Sequence, residues 1–285
     1  MQYALFLLLM VWASPLLAKL DVTLHGELVQ GAMIIGQAPP GSKVQLNDDT
    51  LRQTADGYFV FGLDRDTESG DVLKVTGPQG DTWHKTLQVA EREYDIQHVE
   101  GIDQAILRPD RPPEVWQRIR KESAKVGQAR AEHQELEAFR QNFKWPIIGR
   151  ITGVFGSQRV YNGRPGRPHY GVDVAAPVGA EVYAPADGLV TLAHDDMFFS
   201  GGTLIIDHGY GISSSFLHLS EILAKPGDII SQGDLIARVG AGGMASGPHL
   251  DWRMNWYQRR IDPQLLVPDM STLLNNSDEQ AKYDR

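Results

Sequence analysis

The stretch Arg167-Pro168-His169-Tyr170-Gly171-Val172-Asp173 places an imidazole and a carboxylate four residues apart, with a glycine between them. A helix is unfavourable here, because Pro168 precedes the pair and Gly171 lies inside it. In an extended segment, residues i, i+2 and i+4 share one face, so His169, Gly171 and Asp173 are predicted to point together. The stretch therefore predicts two metal ligands on a strand of a β domain.

Two later segments add to this pair. In Gly247-Pro248-His249-Leu250-Asp251-Trp252-Arg253, the residues His249 and Asp251 would share one face of a strand. Between the two stretches, Phe216-Leu217-His218-Leu219-Ser220 supplies another imidazole. Each His/Asp pair alone is a weak signal, but three such segments within about eighty residues indicate one metal site.

The region around these segments is predicted to be a mostly antiparallel β domain. Between residues 147 and 266, β-rich runs alternate with glycine-rich turns, and no long helical period is present. The predicted strands are Ile151–Phe155, Gly188–Leu192, Thr203–Asp207 and Leu235–Val239.

Residues 19–101 are predicted to form a separate small β domain. Short β-rich runs at 44–46, 58–61 and 72–75 are divided by turn signals, which is typical of a sandwich. No catalytic grouping is present in this region, so a placement or binding role is expected for it.

A linker and a long helix are predicted over residues 102–144. Pro112-Pro113 suits a helix start, and no further proline follows before about Asn142. The apolar stripe is thin, so a solvated connector helix of roughly 40 Å is favoured over a coiled coil. Residues 268–285 are predicted to be a loose polar tail.

The first 18 residues resemble a secretory signal peptide. An apolar run from Ala4 to Ala13 precedes Ala18, a small residue at a plausible cleavage point. The run is short for a bilayer span, so no stable membrane span is expected after cleavage, with an uncleaved anchor as the alternative. A periplasmic location is predicted.

Charge and composition exclude several classes of protein. The formal net charge is -9, which argues against nucleic-acid binding. There are no cysteines, so disulfides and thiolate zinc ligands are both excluded. A lipoyl-type carrier is also disfavoured, because no lysine follows the Lys225-Pro226-Gly227-Asp228 turn in a suitable hairpin.

Residues 145–267 resemble the LytM/lysostaphin-type zinc metalloendopeptidases, which cut peptidoglycan peptides. The leading β domain and helix are similar to exported Gram-negative members. The matching segments are His169–Gly179, Ala184–Gly188, His218–Ser220, Lys225–Asp228 and Ser246–Leu250.

The resemblance implies a role for each matching residue. His169 and Asp173 correspond to two ligands of one zinc ion, and His218 and His249 correspond to the catalytic histidines. The family's third ligand is the second histidine of a His-x-His motif, and Asp251 stands at that position here.

Aspartate is a competent zinc ligand, so a three-ligand site remains sound. Two carboxylates and one imidazole would make the zinc centre electrically neutral, whereas one carboxylate and two imidazoles leave it at +1. A neutral centre would acidify its water less, which predicts a slower enzyme or a more alkaline optimum.

Arg167, Tyr170 and Arg253 flank the predicted site and are candidates for contacting substrate carboxylates, with plain solvated arginines as the alternative. The predicted function is a periplasmic zinc endopeptidase acting on peptidoglycan crosslinks. The alternative is an inactive relative that binds and activates another cell-wall hydrolase or serves a division protein.

Overall fold

The computed structural model describes residues 20–101, 111–131 and 134–275. The predicted signal peptide and residues 102–110 of the linker lie outside the described residues. The described chain is mainly β, with an N-terminal β region, one long helix and a C-terminal β domain, as predicted.

The strands of the N-terminal region are β1 Thr23–His25, β2 Met33–Gln37, β3 Lys43–Leu46, β4 Asp49–Leu51, β5 Tyr58–Gly62, β6 Val72–Thr76, β7 Thr82–Thr86 and β8 Ile96–Val99. The first seven form two small antiparallel sheets, ordered β1-β2-β5 and β4-β3-β6-β7. Alternate apolar residues of these strands, such as Val44 and Leu46 on β3, are buried.

The strands of the C-terminal domain are β9 Arg150–Gly153, β10 Gln158–Tyr161, β11 Arg164–Pro165, β12 Val172–Ala175, β13 Glu181–Tyr183, β14 Gly188–Met197, β15 Gly201–Gly209, β16 Ile212–Ile222, β17 Ile229–Ile230, β18 Leu235–Val239, β19 His249–Trp256 and β20 Arg259–Ile261. All of these except β10 and β11 belong to one ten-stranded sheet, whose main path runs β17-β14-β15-β16-β19-β12-β9. The long central strands of this sheet pair in antiparallel fashion, as predicted.

The register of the central strands separates two faces of this sheet. One face carries the fully buried Val174, Leu250, Trp252 and Phe216, which form the apolar core. We call the opposite face the floor. It carries Asp173 on β12, Asp251 and Arg253 on β19, Leu217, Ser215 and Ser213 on β16, and Ile205 and Asp207 on β15.

One helix, α1 (Pro113–Ala131), lies against the floor. Its Arg130 donates a hydrogen bond to Ser215 Oγ at 2.9 Å, and Arg130 and Ile119 are buried. Helix α1 therefore covers the floor around Ser215.

No helix among the described residues is long and apolar enough to cross a bilayer.

Helix α1 ends earlier than the predicted boundary near residue 142. At Gln134 the backbone N–H donates to Asp207 Oδ2 at 2.8 Å, and the backbone carbonyl accepts from Tyr210 N at 3.4 Å. These bonds to the sheet replace helical ones, so the backbone is already non-helical at residue 134. A short 3₁₀ turn lies at Ala138–Arg140, within the part of the predicted helix that the structure describes after residue 133.

The N-terminal region packs directly on the C-terminal domain. Strand β8 pairs in parallel with β10, so a strand from before the helix extends a small sheet beside the site. Arg92 Nη1 lies 2.8 Å from the buried Asp262 Oδ2, and Gly62 is close to Trp256 Cβ. The two β regions share one continuous apolar core.

Residues 268–275 differ from the predicted loose tail. Residues 270–275 are helical, Met270 is buried, and Trp145 Nε1 donates to the Pro268 carbonyl at 2.7 Å. The apolar Met270, Leu273 and Leu274 join the core, which a polar overall composition conceals. Residues 276–285 lie outside the described part of the chain.

His208 lies in the buried interior of the C-terminal domain. Its ring is completely buried, with Nδ1 donating to the Asp187 carbonyl at 2.6 Å and Nε2 lying 2.7 Å from Ser214 Oγ. Burial lowers the pKa of His208 from 6.5 to about 4, outweighing the carbonyl hydrogen bond. The imidazole is therefore neutral inside the folded protein at neutral pH.

We expect His208 to make the protein less stable in mild acid. Between pH 6.5 and 4 the unfolded chain binds the His208 proton and the folded chain does not, so the free energy of unfolding falls as the pH falls. The loss between pH 7 and 4.5 is about 2–3 kcal/mol. Urea unfolding at both pH values should show a smaller loss in His208→Gln. The exposed His84→Gln control should behave like the wild type, and equal losses in all three would contradict the assignment.

Candidate metal centre

Three side chains predicted as metal ligands converge on the floor. His169, Asp173 and Asp251 each offer one ligand atom, and these atoms all lie within 4.8 Å of one another. His169 Nε2 is 3.1 Å from Asp173 Oδ1 and 3.6 Å from Asp251 Oδ2. The prediction that these residues share one site is therefore consistent with the geometry.

The backbone explains why the two carboxylates meet. Asp173 and Asp251 lie directly opposite each other in the antiparallel β12–β19 ladder, so both point to the same face. Gly153 on β9 leaves space for this arrangement, because a Cβ there would lie 2.2 Å from Asp173 Oδ2. Glycine at this position keeps the neighbouring strand clear of the carboxylate.

His169 lies in the loop before β12 and not on the strand itself. Its backbone N–H donates to the Ser157 carbonyl at 2.8 Å, and its Nδ1 donates to the Val154 carbonyl at 3.2 Å. This arrangement leaves Nε2 as the nitrogen that faces the carboxylates. Metal-binding histidines are typically oriented by such a hydrogen bond to the other ring nitrogen.

The electrostatics at these residues favour a cation. Burial opposes a charge on His169, but Asp173 and Asp251 outweigh it and raise the pKa of His169 to about 10. Burial alone would raise the pKa of the Asp251 carboxyl, yet Arg253 and His169 hold it well below its usual range. Positive charge is therefore stabilised between the two carboxylates.

A dication fits this site better than hydrogen bonding does. Within the described residues, the buried atoms His169 Nε2 and Asp173 Oδ1 make no hydrogen bond, although they lie 3.1 Å apart. One imidazole nitrogen and two carboxylates form a donor set that zinc accepts. These three side chains could therefore hold the metal.

His218 and His249 stand beside the ligands as a pair. Their ring centroids are 4.8 Å apart, and His249 Nε2 is 3.7 Å from Asp173 Oδ1. The Nδ1 of His218 donates to the Gly242 carbonyl and that of His249 to the Gly247 carbonyl, both at 2.8 Å. The Nε2 atom of each ring is thus left as the proton-accepting nitrogen.

The backbone at His218 is strained. Its φ is +64°, a left-handed value that costs a residue with a side chain about 1–2 kcal/mol. Its N–H donates to the Ser200 carbonyl at 2.8 Å, which holds this conformation at a break in the ladder of β16. Burial lowers the pKa of His218, so its ring stays neutral and able to accept a proton at neutral pH.

Arg253 makes a contact that the sequence prediction did not include. Its Nε lies 2.9 Å from Asp251 Oδ1 and 3.1 Å from Oδ2, and its Nη2 lies 2.5 Å from Oδ2. Strand spacing of two residues puts both side chains on one face, so the i, i+2 pattern was the signal available. The guanidinium therefore engages both oxygens of a predicted metal ligand.

A groove of about 780 Å³ runs beside the ligands. Arg167 and Arg253 line it, together with Asp95 and Gln97 from the segment around β8. Tyr170 instead packs against Phe155 with tilted rings, whose centroids are 6.4 Å apart. That Arg167, Tyr170 and Arg253 contact substrate stays a prediction.

The sequence around this site was compared with those of known protein families. Residues 167–263 match the model of Peptidase family M23. The chain carries a Peptidase family M23 domain. The match contains all five side chains at the centre and agrees with the LytM-type resemblance of the sequence.

Curated relatives are similar to this M23 domain over part of their length. Peptidoglycan DD-endopeptidase ShyB of Vibrio cholerae is 32% identical over 133 residues, which are 47% of this chain and 28% of that protein. Peptidoglycan DD-endopeptidase ShyA of the same organism is 35% identical over 112 residues, which are 39% of this chain and 25% of that protein. The chain spans about a quarter of the length of these relatives.

A solved structure resembles both halves of the chain. A crystal structure from Pseudomonas aeruginosa assigned to peptidase M23 superposes with a TM-score of 0.64 at 26% identity. The superposition covers 85% of this chain and 95% of that one. The likeness therefore extends beyond the residues that match the M23 family model.

Proposed function

We propose that this protein is a periplasmic zinc metalloendopeptidase that hydrolyses peptide crosslinks of peptidoglycan. The observation that carries the proposal is the convergence of His169, Asp173 and Asp251 beside the His218–His249 pair. The M23 match and the similar peptidoglycan endopeptidases support the substrate class. The signal-like residues 1–18 support export.

The residues divide the chemistry between them. A zinc ion held by His169, Asp173 and Asp251 would polarise the scissile carbonyl and acidify a water molecule. One imidazole of the His218–His249 pair accepts the proton of that water through Nε2. The protonated imidazole then donates to the leaving amine. The other ring stabilises the tetrahedral oxyanion in its protonated form, in which Nε2 carries a proton and can donate.

A second candidate function is an inactive M23 protein that binds another cell-wall hydrolase. Two observations favour it. Arg253 occupies both oxygens of Asp251, and helix α1 covers part of the floor next to the site. Such a protein would keep the fold and the groove as a docking surface.

Metal content and digestion of crosslinked peptidoglycan separate the two functions. We expect about one equivalent of zinc per chain and the release of uncrosslinked peptides, both abolished by a chelator. Asp173→Asn keeps the side-chain shape but removes a ligand charge, so it should lose both zinc and products. His84→Ala, an exposed control, should keep both. A zinc-free wild type that releases no peptide would favour the inactive protein.

A further inference from the structure

Arg253 and Asp251 form a buried ion pair at the metal centre. Asp251 is 2% exposed, and Arg253 grips both of its carboxylate oxygens with Nε and Nη2. The two residues are two positions apart on the same face of β19, where Asp251 lies opposite Leu217 of β16 and Arg253 lies opposite Ser215. The sheet therefore fixes the distance between their backbones. The pair is thus a built part of the site, unlike the loose ion pairs of a protein surface.

Other charges near Arg253 direct it toward the carboxylates. Burial lowers the pKa of Arg130 to about 9, with repulsion from Arg260 and Arg253 as further causes. Among its neighbours, the carboxylates of Asp251 and Asp173 attract the Arg253 charge. The carboxylates of Asp251 and Asp173 therefore attract the guanidinium, while Arg130 and Arg260 lie near enough to repel it.

The charge of the centre depends on whether Arg253 is counted. A dication with Asp173, Asp251 and neutral His169 sums to zero, which is the basis of the slower enzyme predicted from the sequence. Adding the permanent charge of Arg253 raises the sum to +1. A centre with one carboxylate and two imidazoles has the same sum.

We propose that Arg253 makes Asp251 an electrically neutral metal ligand, so that the Asp251–Arg253 pair takes the place of a single histidine. This inference rests on the proposed function, because it requires that the site binds a metal. Arg253 acts through Asp251 and is a positioning residue. Its charge offsets the added carboxylate, and its fork fixes the orientation of that carboxylate.

The proposal predicts a compensating pattern of zinc affinities. Asp251→His alone leaves the buried Arg253 charge unpaired beside the dication, so zinc should bind about tenfold or more weakly. Arg253→Gln alone removes a positive charge but keeps a hydrogen-bond donor, so zinc should bind about tenfold or more tightly. The double variant restores the sum of +1, so its affinity should return to within about fivefold of the wild type.

The pattern also distinguishes this role from simple competition. If Arg253 only blocked Asp251 from the metal, a histidine at position 251 would escape the block. Asp251→His would then bind zinc more tightly than the wild type. A positioning role predicts the opposite sign for the same variant.

The experiment measures zinc dissociation constants of the full chain by competition with a chromophoric chelator, at one pH and one ionic strength. Circular dichroism checks that each variant is folded. Arg253→Lys is the matched control, because it keeps the charge and loses the planar fork. Its zinc affinity should stay at or below that of the wild type, whereas Arg253→Gln should exceed it. If Asp251→His fails to fold, an Arg253→Gln variant that binds zinc no more tightly than Arg253→Lys still overturns the proposal.

The outcomes separate the two proposals. A wild type that binds no zinc overturns both the proposed function and this inference. Zinc binding by the wild type leaves the proposed function standing. In that case, a double variant as weak as Asp251→His, or an Arg253→Gln variant no tighter than Arg253→Lys, overturns this inference alone.

Discussion

Alanine at His218 or at His249 is expected to lower the rate of crosslink hydrolysis by about 10²–10⁴-fold while zinc still binds. Both rings use Nδ1 to bond a backbone carbonyl, and both keep Nε2 for proton transfer. Neither belongs to the group of His169, Asp173 and Asp251 that can hold the metal. Removing either ring should therefore affect the chemical step more than the metal.

The double variant sharpens this prediction. If the two imidazoles act as one unit in proton transfer, His218→Ala and His249→Ala together should cost little more than either alone. Rates on purified crosslinked peptides and zinc content would be measured for all three variants. The exposed His84→Ala variant should match the wild type in both. Loss of zinc from His249→Ala would instead identify that residue as a ligand.

Releasing helix α1 from the floor is expected to raise the rate of crosslink hydrolysis by about tenfold. The helix is held at its middle and near its C-terminal end. Phe198 N donates to Glu122 Oε2 at 2.8 Å near its middle, and Arg130 bonds Ser215 near its C-terminal end. Ser215 lies opposite Arg253 in the β16–β19 ladder, so the covered area reaches the residue beside the metal ligands.

The substitution that tests the helix is the pair Glu122→Ala and Arg130→Ala. Each change removes a hydrogen bond to a buried charged group, worth about 1.5–3 kcal/mol, and shifts the population toward an uncovered floor. Activity on long crosslinked substrate and zinc affinity would be measured together. Lys125→Ala, on the exposed side of the same helix, should change neither. An unchanged or lower rate at equal zinc affinity and equal folding would show that the helix does not restrict the site.

Much of the candidate site was readable from the sequence. His169, Asp173 and Asp251 were predicted as ligands and do come together, and His218 and His249 lie beside them. The roles of these residues were predicted from the resemblance to the LytM/lysostaphin-type family, which rests on short motifs whose spacing is a local property of the chain. The strand at Leu235–Val239 was likewise predicted with the bounds that the structure has.

The end of helix α1, the burial of the C-terminal segment and the wall of the groove depended instead on contacts between distant parts of the chain. The helix Pro113–Ala131 has ended by residue 134, because the backbone at Gln134 bonds to Asp207 and Tyr210, which are more than seventy residues away in the sequence. The buried Met270 was predicted to lie in a loose tail, because its polar neighbours gave no sign of the core that receives it. Strand β8 lies in the wall of the groove only through its pairing with β10.

The sequence by itself determined that the chain has a mainly β architecture and that an imidazole, two carboxylates and two further histidines are available for one centre. Alternation and turn residues act over a few positions, and such local patterns survive without knowledge of the fold. Only the tertiary structure decided that Arg253 grips Asp251 and that helix α1 lies on the floor. Those contacts depend on strand register, which decides which side chains face each other, and on burial, which strengthens a charge pair. The local sequence does not specify either of them.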